Sequence, residues 1–393
     1  MKVIDGGICA VKGVRATGIK DGKMGLAIIA AEGPAAGVFT RNRIMAAPVR
    51  LTRDIIYEKG QLSATIVNSG NANAFTGSKG QEDAMDMASL AADVLGVDEA
   101  HVAVASTGVI GRKMDMDWIK GHVQEVADNL TDKAEGSAAT ARSIMTTDTF
   151  PKEIAIELDS GIRIGGIAKG AGMIEPNMGT MLSFIYTDAV LDMRELRDAL
   201  KLANSVSFNM VVVDGDTSTN DMVLLTATGK SSIEPRYEDF QEGLEYVMKE
   251  LAKMIARDGE GASHFIEAHV NGATTEDDAR LAVKSILRSP LVKTAIFGRD
   301  PNWGRIVAAA GYSGASMEEK YMSLSFSDGT TEVPLVVQGR VVDDENVLSS
   351  LEKIMESEDI IISVDLGMGF HSATAWGCDF TYDYIKINAE YTT

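Results

Sequence analysis

The sequence predicts an α/β protein built from layered sheets flanked by helices, and three observations carry that reading. Short runs rich in Val and Ile, bounded by Gly, Asn or Asp, recur along the chain. Amphipathic helical stretches lie between them, and the two kinds do not alternate strictly, as a Rossmann or TIM architecture would require. Composition fits a globular chain, with 45% hydrophobic and 24% charged residues. At 393 residues the chain exceeds a typical single domain and can bury a large core.

The strand candidates are, in order, "SATIVNSG", "HVAVASTG", "EIAIEL", "MLSFIYTD", "MVVVDGD", "PLVVQGRVV", "IIISVDLG" and "YIKINAEY". Ile119, Val123, Val126 and Leu130 mark a helix by their spacing of three and four. Asp192 followed by Glu195 reads as a capping box opening another. The clearest helix spans residues 238–256, where Phe240, Leu244, Val247, Leu251 and Met254 share one face. From about residue 275 the pattern restarts with "TTEDDARLAVKSIL" and its acidic first turn. We therefore expect a catalytic core over 1–275 and a smaller C-terminal α/β unit over 276–393.

A net charge of −20 and a pI near 4.7 argue against nucleic acid or an anionic membrane as a partner, because both repel an acidic surface. No run has signal-peptide or membrane-spanning character, so the cytoplasm is the expected compartment. Cys9 and Cys378 are the only cysteines and form no CxxC pair, which suggests two buried thiols rather than a disulfide or zinc site.

Familiar catalytic signatures are absent. There is no GxSxG, and the histidines His101, His122, His264, His269 and His371 include no HExxH. His264 and His269 would point to opposite faces of a strand, a poor metal geometry, so no metal is expected. "GAGMIE" and "GMGFHS" lack the last glycine of GxGxxG. "DGDTSTND" resembles a calcium loop but has Thr219 and Leu225 where glycine and the bidentate glutamate belong, and it reads as a polar turn.

The stretch "KGAGMIEPNMGTMLSF" places Gly179-Thr180 directly before a buried strand. A threonine hydroxyl needs a base. An N-terminal threonine carries its own: an α-amine with a pKa near 7.7 to 8.0. Thr180 is internal, so this solution requires the preceding peptide bond to be cut by an N-to-O acyl shift. Gly179, with no Cβ, leaves that carbonyl open to attack and tolerates unusual torsions. Read by spacing alone, the same stretch is an ordinary glycine-rich turn before a core strand.

The segment "KGAGMIEPNMGTML" resembles the cleavage segment of the glutamate N-acetyltransferase family of arginine biosynthesis, also called ornithine acetyltransferases. The likeness runs over essentially the whole chain, through "GVFTRNRIMAAPV", "NSGNANAFTG", "STGVIG", "IMTTDTFPK", "VDGDTSTND", "DGEGAS", "GRDPNWGRI", "ATAWGCD" and "KINAEYTT". It implies an αββα sandwich laid out like N-terminal-nucleophile hydrolases. It also implies cleavage into chains 1–179 and 180–393, with two cleaved protomers forming an α2β2 assembly.

By this resemblance Thr180 is the nucleophile, and Thr107 with Gly108 forms an oxyanion hole. Thr146, Lys169, Thr180, Glu260, Asn388 and Thr393 contact substrate. Read alone, Lys169 is a surface lysine and Glu260 a helix-end acid. The implied substrates are N-acetylornithine and glutamate, with no cofactor; acetyl-CoA as a further donor stays open. An aminopeptidase or amidase using the same threonine is the competing reading, and an uncut binding protein is another. Three departures stand out: Gly179 replaces the usual alanine, Phe75 a cysteine or small residue, and His264 follows "GAS" where threonine and lysine are more usual.

Overall fold

The computed structural model describes residues 1–175, 181–342 and 345–390. Gly179, Thr180 and Thr393 lie outside the described residues. The described strands are, in chain order, β1 (Lys2–Ile4), β2 (Arg15–Asp21), β3 (Met24–Phe39), β4 (Gln61–Asn71), β5 (Val102–Val109), β6 (Lys152–Glu157), β7 (Arg163–Lys169) and β8 (Leu182–Thr187). They continue as β9 (Val211–Val212), β10 (Met222–Ala227), β11 (Phe265–Ala273), β12 (Ser323–Ser327), β13 (Glu332–Val337), β14 (Arg340–Val341), β15 (Asp359–Asp365) and β16 (His371–Cys378).

The helices are α1 (Ala47–Glu58), α2 (Gly77–Leu95), α3 (Met116–Asp128), α4 (Ala134–Ser143), α5 (Met193–Ser205) and α6 (Tyr237–Arg257). They are followed by α7 (Glu276–Arg288), α8 (Pro290–Phe297), α9 (Trp303–Gly311), α10 (Glu345–Glu356) and α11 (Tyr382–Glu390).

The chain divides into two compact units. The first comprises Met1–Asn209 and Asp216–Leu251; the second comprises Met210–Gly215 and the described chain from Ala252 onward. The first unit contains one sheet ordered β1-β6-β7-β8-β10-β3-β4-β5, with β2 also paired to β3. Its organiser is β3, 16 residues long. Its first part pairs with β2 and β4, and its last residues, Ala35 to Phe39, pair with β10. Between them the register with β4 shifts at Ala30 to Gly33. A Cβ on Gly33 would lie 1.9 Å from the Ala227 carbonyl oxygen, so only glycine fits this close crossing.

Side-chain alternation then decides the layering, because neighbours on a strand face opposite sides. Leu26 and Ile28 join a core with Met87 and Ala91 of α2 and Ile119 and Val123 of α3. Ala27 and Ile29 point the other way, into a core shared with Ile167, Phe184 and Leu224 from the second half of the sheet. The two halves therefore face one another. On the far side, a Cβ at Gly166 of β7 would meet Leu251 at 2.8 Å and Val247 at 3.2 Å, which puts α6 on that outer face. The unit is an αββα sandwich, as the family resemblance implies. Phe240, Leu244, Val247 and Leu251 are fully buried, each worth about 1.5–3 kcal/mol relative to exposure.

The second unit holds a seven-stranded sheet ordered β14-β13-β12-β15-β11-β16-β9, with α7 packed on β11 and β16. Several local expectations hold. The capping box at Asp192 and Glu195 makes both of its hydrogen bonds, and Thr275 caps α7 by accepting from the Asp278 N–H. Cys9 and Cys378 are buried free thiols; burial pushes Cys9 up to about 12 and Cys378 to about 11.

Other expectations need correction. "YIKINAEY" reads as a strand but is helical as far as it is described, in α11, because the Thr381 hydroxyl accepts from the N–H groups of Asp383 and Tyr384 and opens a helix there. "MVVVDGD" contributes only Val211 and Val212 to a sheet. "PLVVQGRVV" is a hairpin of β13 and β14 turning at Gln338 and Gly339, both at positive φ.

Candidate active site

The facing of the two half-sheets has a chemical consequence: the ends of β5 and β7, far apart in strand order, meet. Thr107 on β5 and Lys169 on β7 are each 8% exposed. The Lys169 ammonium donates to Thr107 Oγ1 at 3.3 Å and to Thr146 Oγ1 at 2.8 Å. A hydroxyl that accepts from an ammonium must direct its own proton elsewhere, so Thr107 is left as a donor. The neighbouring Gly108 sits at φ +131, and a Cβ there would fall 2.3 Å from the carbonyl carbon of Gly70. Glycine at 108 is therefore imposed by the pairing of β4 with β5, in which Ser69 and Gly70 lie opposite Thr107 and Gly108.

Asp148 organises this cluster from below. Its side chain is fully buried, with one oxygen accepting from Lys152 Nζ at 2.8 Å and Gly170 N–H at 2.6 Å, and the other from Thr146 N–H at 3.0 Å. Burial works against its charge, but the Lys169 and Lys152 ammonium groups and these hydrogen bonds outweigh it and hold the carboxyl well below the usual carboxylate range. Lys20 reaches across from β2 to Ser69 Oγ at 2.8 Å and to the Met145 carbonyl. Burial, then the nearby Lys169 charge, pull its pKa below the ordinary lysine value.

The loop before β10 closes the site. Asn220 donates to the carbonyls of Ala72 and Ser106, joining the "NANAFTG" turn to the strand that carries Thr107. Beside it Asp221 is 2% exposed, and among the described residues its Oδ2 has no hydrogen-bond partner. Burial drives its carboxyl well above 3.8, against the pull of the Ser218 hydroxyl, Lys169 and Thr40. Its position follows from register: Met222 pairs with Leu182 of β8 and donates its N–H to the Met181 carbonyl. Asp221 thus flanks the head of β8, whose first neighbours upstream are Met181 and Thr180.

Glu260 and Asn388 belong to the second unit and form a pair of their own. Asn388 Nδ2 donates to Glu260 Oε2 at 2.8 Å and to the Tyr384 carbonyl at 3.0 Å. Of the residues singled out in the sequence, Thr107, Gly108, Thr146 and Lys169 lie in one constellation and Glu260 with Asn388 in another. His264 pairs with Asp379, and Phe75 stands 78% exposed at positive φ.

Asp148, Lys20, Asn220, Asp221 and Asp379 escaped the sequence reading. Asp148 and Lys152, four apart in "TTDTFPK", offered a pairing signal; Asp221 inside "DGDTSTND" offered none beyond polarity. Among the described residues, no group of three His, Cys, Asp or Glu could hold a metal ion. No helix there is long and apolar enough to cross a membrane.

An αββα sandwich with a hydroxyl, ammonium and carboxylate network at its sheet ends defines the class of protein. The ArgJ family matches residues 11–393, and this chain belongs to it. The glutamate N-acetyltransferase of Methanosarcina mazei is 62% identical, with both chains covered in full. The arginine biosynthesis bifunctional protein ArgJ of Archaeoglobus fulgidus is 49% identical over 98% of this chain and all of its own. The crystal structure of the ArgJ protein of Bacillus halodurans matches at a TM-score of 0.51 and 41% identity, covering 54% of this chain and 100% of that one.

Proposed function

We propose that this protein is a glutamate N-acetyltransferase that moves an acetyl group from N-acetylornithine to glutamate through an ester on Thr180, after cutting its own backbone at Gly179-Thr180. The observation that carries the reading is the buried Thr107–Lys169–Thr146 network beside the head of β8. Support for the cut comes from chain length. The residues from 180 onward are 54% of this sequence, the share spanned by the Bacillus chain, a separate polypeptide matched over its whole length.

In this mechanism the freed α-amine of Thr180 takes the proton of its own hydroxyl, and the oxygen attacks the acetyl carbonyl. The Thr107 hydroxyl, oriented by Lys169, and the Gly108 N–H stabilise the oxyanion. Such donors contribute about 3–4 kcal/mol each to the transition state. The Thr180 ammonium returns its proton to the leaving amine of ornithine, and the amine of glutamate then attacks the ester and carries the acetyl group away. Lys169 and the Thr146 hydroxyl bind a substrate carboxylate, and Glu260, Asn388 and Thr393 are further substrate contacts in this reading. Two cleaved protomers associate as α2β2, and the enzyme works in the cytoplasm.

The test combines a gel with an assay. Purified protein should run under denaturation as bands of about 19 and 23 kDa, apportioning 41.9 kDa by chain length. Thr180→Ala should stay whole, and Thr180→Ser should retain partial processing. With N-acetylornithine and glutamate together, ornithine and N-acetylglutamate should appear in equal amounts; acetate release without acetylglutamate would instead make it a hydrolase. An active, uncut parent chain would overturn the self-cleavage step.

A further inference from the structure

Two residues given no part in the reaction above, Asp379 and Thr381, tie together the segments that carry Glu260 and Asn388. Asp379 follows β16 and is 1% exposed. Its Oδ1 accepts from the N–H groups of Ser263 at 2.9 Å and His264 at 3.1 Å. Its Oδ2 accepts from the Ser263 hydroxyl and lies 3.0 Å from His264 Nδ1. The turn that follows Glu260 is therefore held at its far end by one carboxylate.

Thr381, two residues on, reaches the middle of the same turn. Its hydroxyl donates to the Gly261 carbonyl at 2.6 Å and accepts from the N–H groups of Asp383 and Tyr384, at 3.1 and 3.3 Å. One oxygen thus joins the residue next to Glu260 to the first turn of α11, and Asn388 lies further along that helix. The contact leaves no slack: Gly261 is at φ +68, and a Cβ there would come within 2.6 Å of the Tyr384 nitrogen. Phe380 stacks on Tyr384 with ring centroids 4.8 Å apart, packing the joint from the side.

We propose that Thr381, anchored by Asp379, is a positioning residue for amino-acid binding: it sets the spacing of Glu260 and Asn388 through the Gly261 carbonyl on one side and the first turn of α11 on the other. This rests on the reading of Glu260 and Asn388 as substrate contacts. Asn388 still meets Glu260 by its own hydrogen bond, but that single bond links two long side chains. Thr381 fixes the backbones from which they extend, and preorganisation of that kind lowers the cost of binding.

The experiment uses the full, processed enzyme and measures KM for glutamate and kcat separately. Thr381→Val keeps the shape and removes the hydroxyl; it should raise KM about tenfold while kcat changes less than about threefold, the pattern of a lost binding contribution. Thr381→Ser restores the hydroxyl and should return KM to within about threefold of the parent. Gly261→Ala strains the same joint, with a Cβ 2.6 Å from the Tyr384 nitrogen, and should raise KM similarly where it folds; Thr381→Ala removes the hydroxyl without added bulk and keeps the inference testable if the valine variant does not fold.

Glu260→Gln supplies the cycle: if Thr381 acts through Glu260, adding Thr381→Val to Glu260→Gln should raise KM by less than about twofold. Band pattern on the gel reports that processing is intact. A raised KM in Glu260→Gln with no change in Thr381→Val or Gly261→Ala overturns the inference alone. No change in Glu260→Gln removes the reading of the site and the inference with it.

Discussion

Replacing Asp148 by asparagine tests the charge balance under the candidate site. The side chain is buried and accepts three hydrogen bonds, one from the Lys152 ammonium, whose side chain is also fully buried. Asparagine keeps the shape but removes the charge, and it presents an N–H₂ where a donor already points. Removing one charge of a buried ion pair costs about 3–5 kcal/mol. At about 2–4 °C per kcal/mol for a unit of this size, the melting temperature should fall by about 6–20 °C at pH 7.

The pH dependence of that loss follows from the sign of the shift. The folded-state pKa lies below the ordinary value of 3.8. The carboxylate's contribution is therefore fully present above pH 3.8 and is lost as pH falls through the folded value. The gap between parent and variant should be widest at neutral pH and begin to narrow as pH falls below 3.8. Adding Lys152→Met to Asp148→Asn should destabilise by less than the sum of the two single changes, because the two side chains form one ion pair. Thermal unfolding followed by circular dichroism from pH 3 to 8 provides the measurement. Asp148→Asn melting within about 2 °C of the parent at pH 7 would refute the claim that this carboxylate balances a buried ammonium.

Two further outcomes follow from the first unit. Gly108→Ala must place a Cβ 2.3 Å from the Gly70 carbonyl carbon at a torsion L-residues rarely adopt, so it should yield aggregated protein or lose more than about 3 kcal/mol; a parent-like denaturant midpoint would contradict the geometry. Asp221→Asn has the opposite sign from Asp148→Asn. Because burial raises the Asp221 pKa above 3.8, the unfolded chain ionises first and stability falls as pH rises from 3.8 to the folded value. Asparagine should remove that decline and melt at or above the parent at pH 7. A loss of more than about 1 kcal/mol there would show that the carboxylate, not the acid, is the stabilising form.

What was legible in the sequence depended on how far apart the cooperating residues lie. The face of α6 and the capping box at Asp192 follow from spacings of three and four, and the sequence shows both; the acidic first turn of α7 is visible there too, while its Thr275 cap emerges only in the structure. "YIKINAEY" failed because its β-branched and aromatic content matches a strand, while the deciding interaction, the Thr381 cap, precedes it and has a hydroxyl acting on two backbone N–H groups. The long strand β3 is masked by its Gly-Pro-Ala composition. Its glycine reads as a loop residue and in fact permits the crossing against Ala227.

The same distance rule explains the site. Thr107, Thr146 and Lys169 were found through ordered family segments, and nothing in a single sequence says that a threonine at 107 and a lysine at 169 share a hydrogen bond. That contact exists because one strand serves two half-sheets that face each other, so chemistry at their ends is assembled by topology rather than by motif. Asp148 and Asp221 show the limit sharply. Both are acids in polar loops, yet cations and N–H groups surround one and pull its pKa down, while burial pushes that of the other up. Both side chains belong to the first unit, and only the folded chain drives their pKa values in opposite directions.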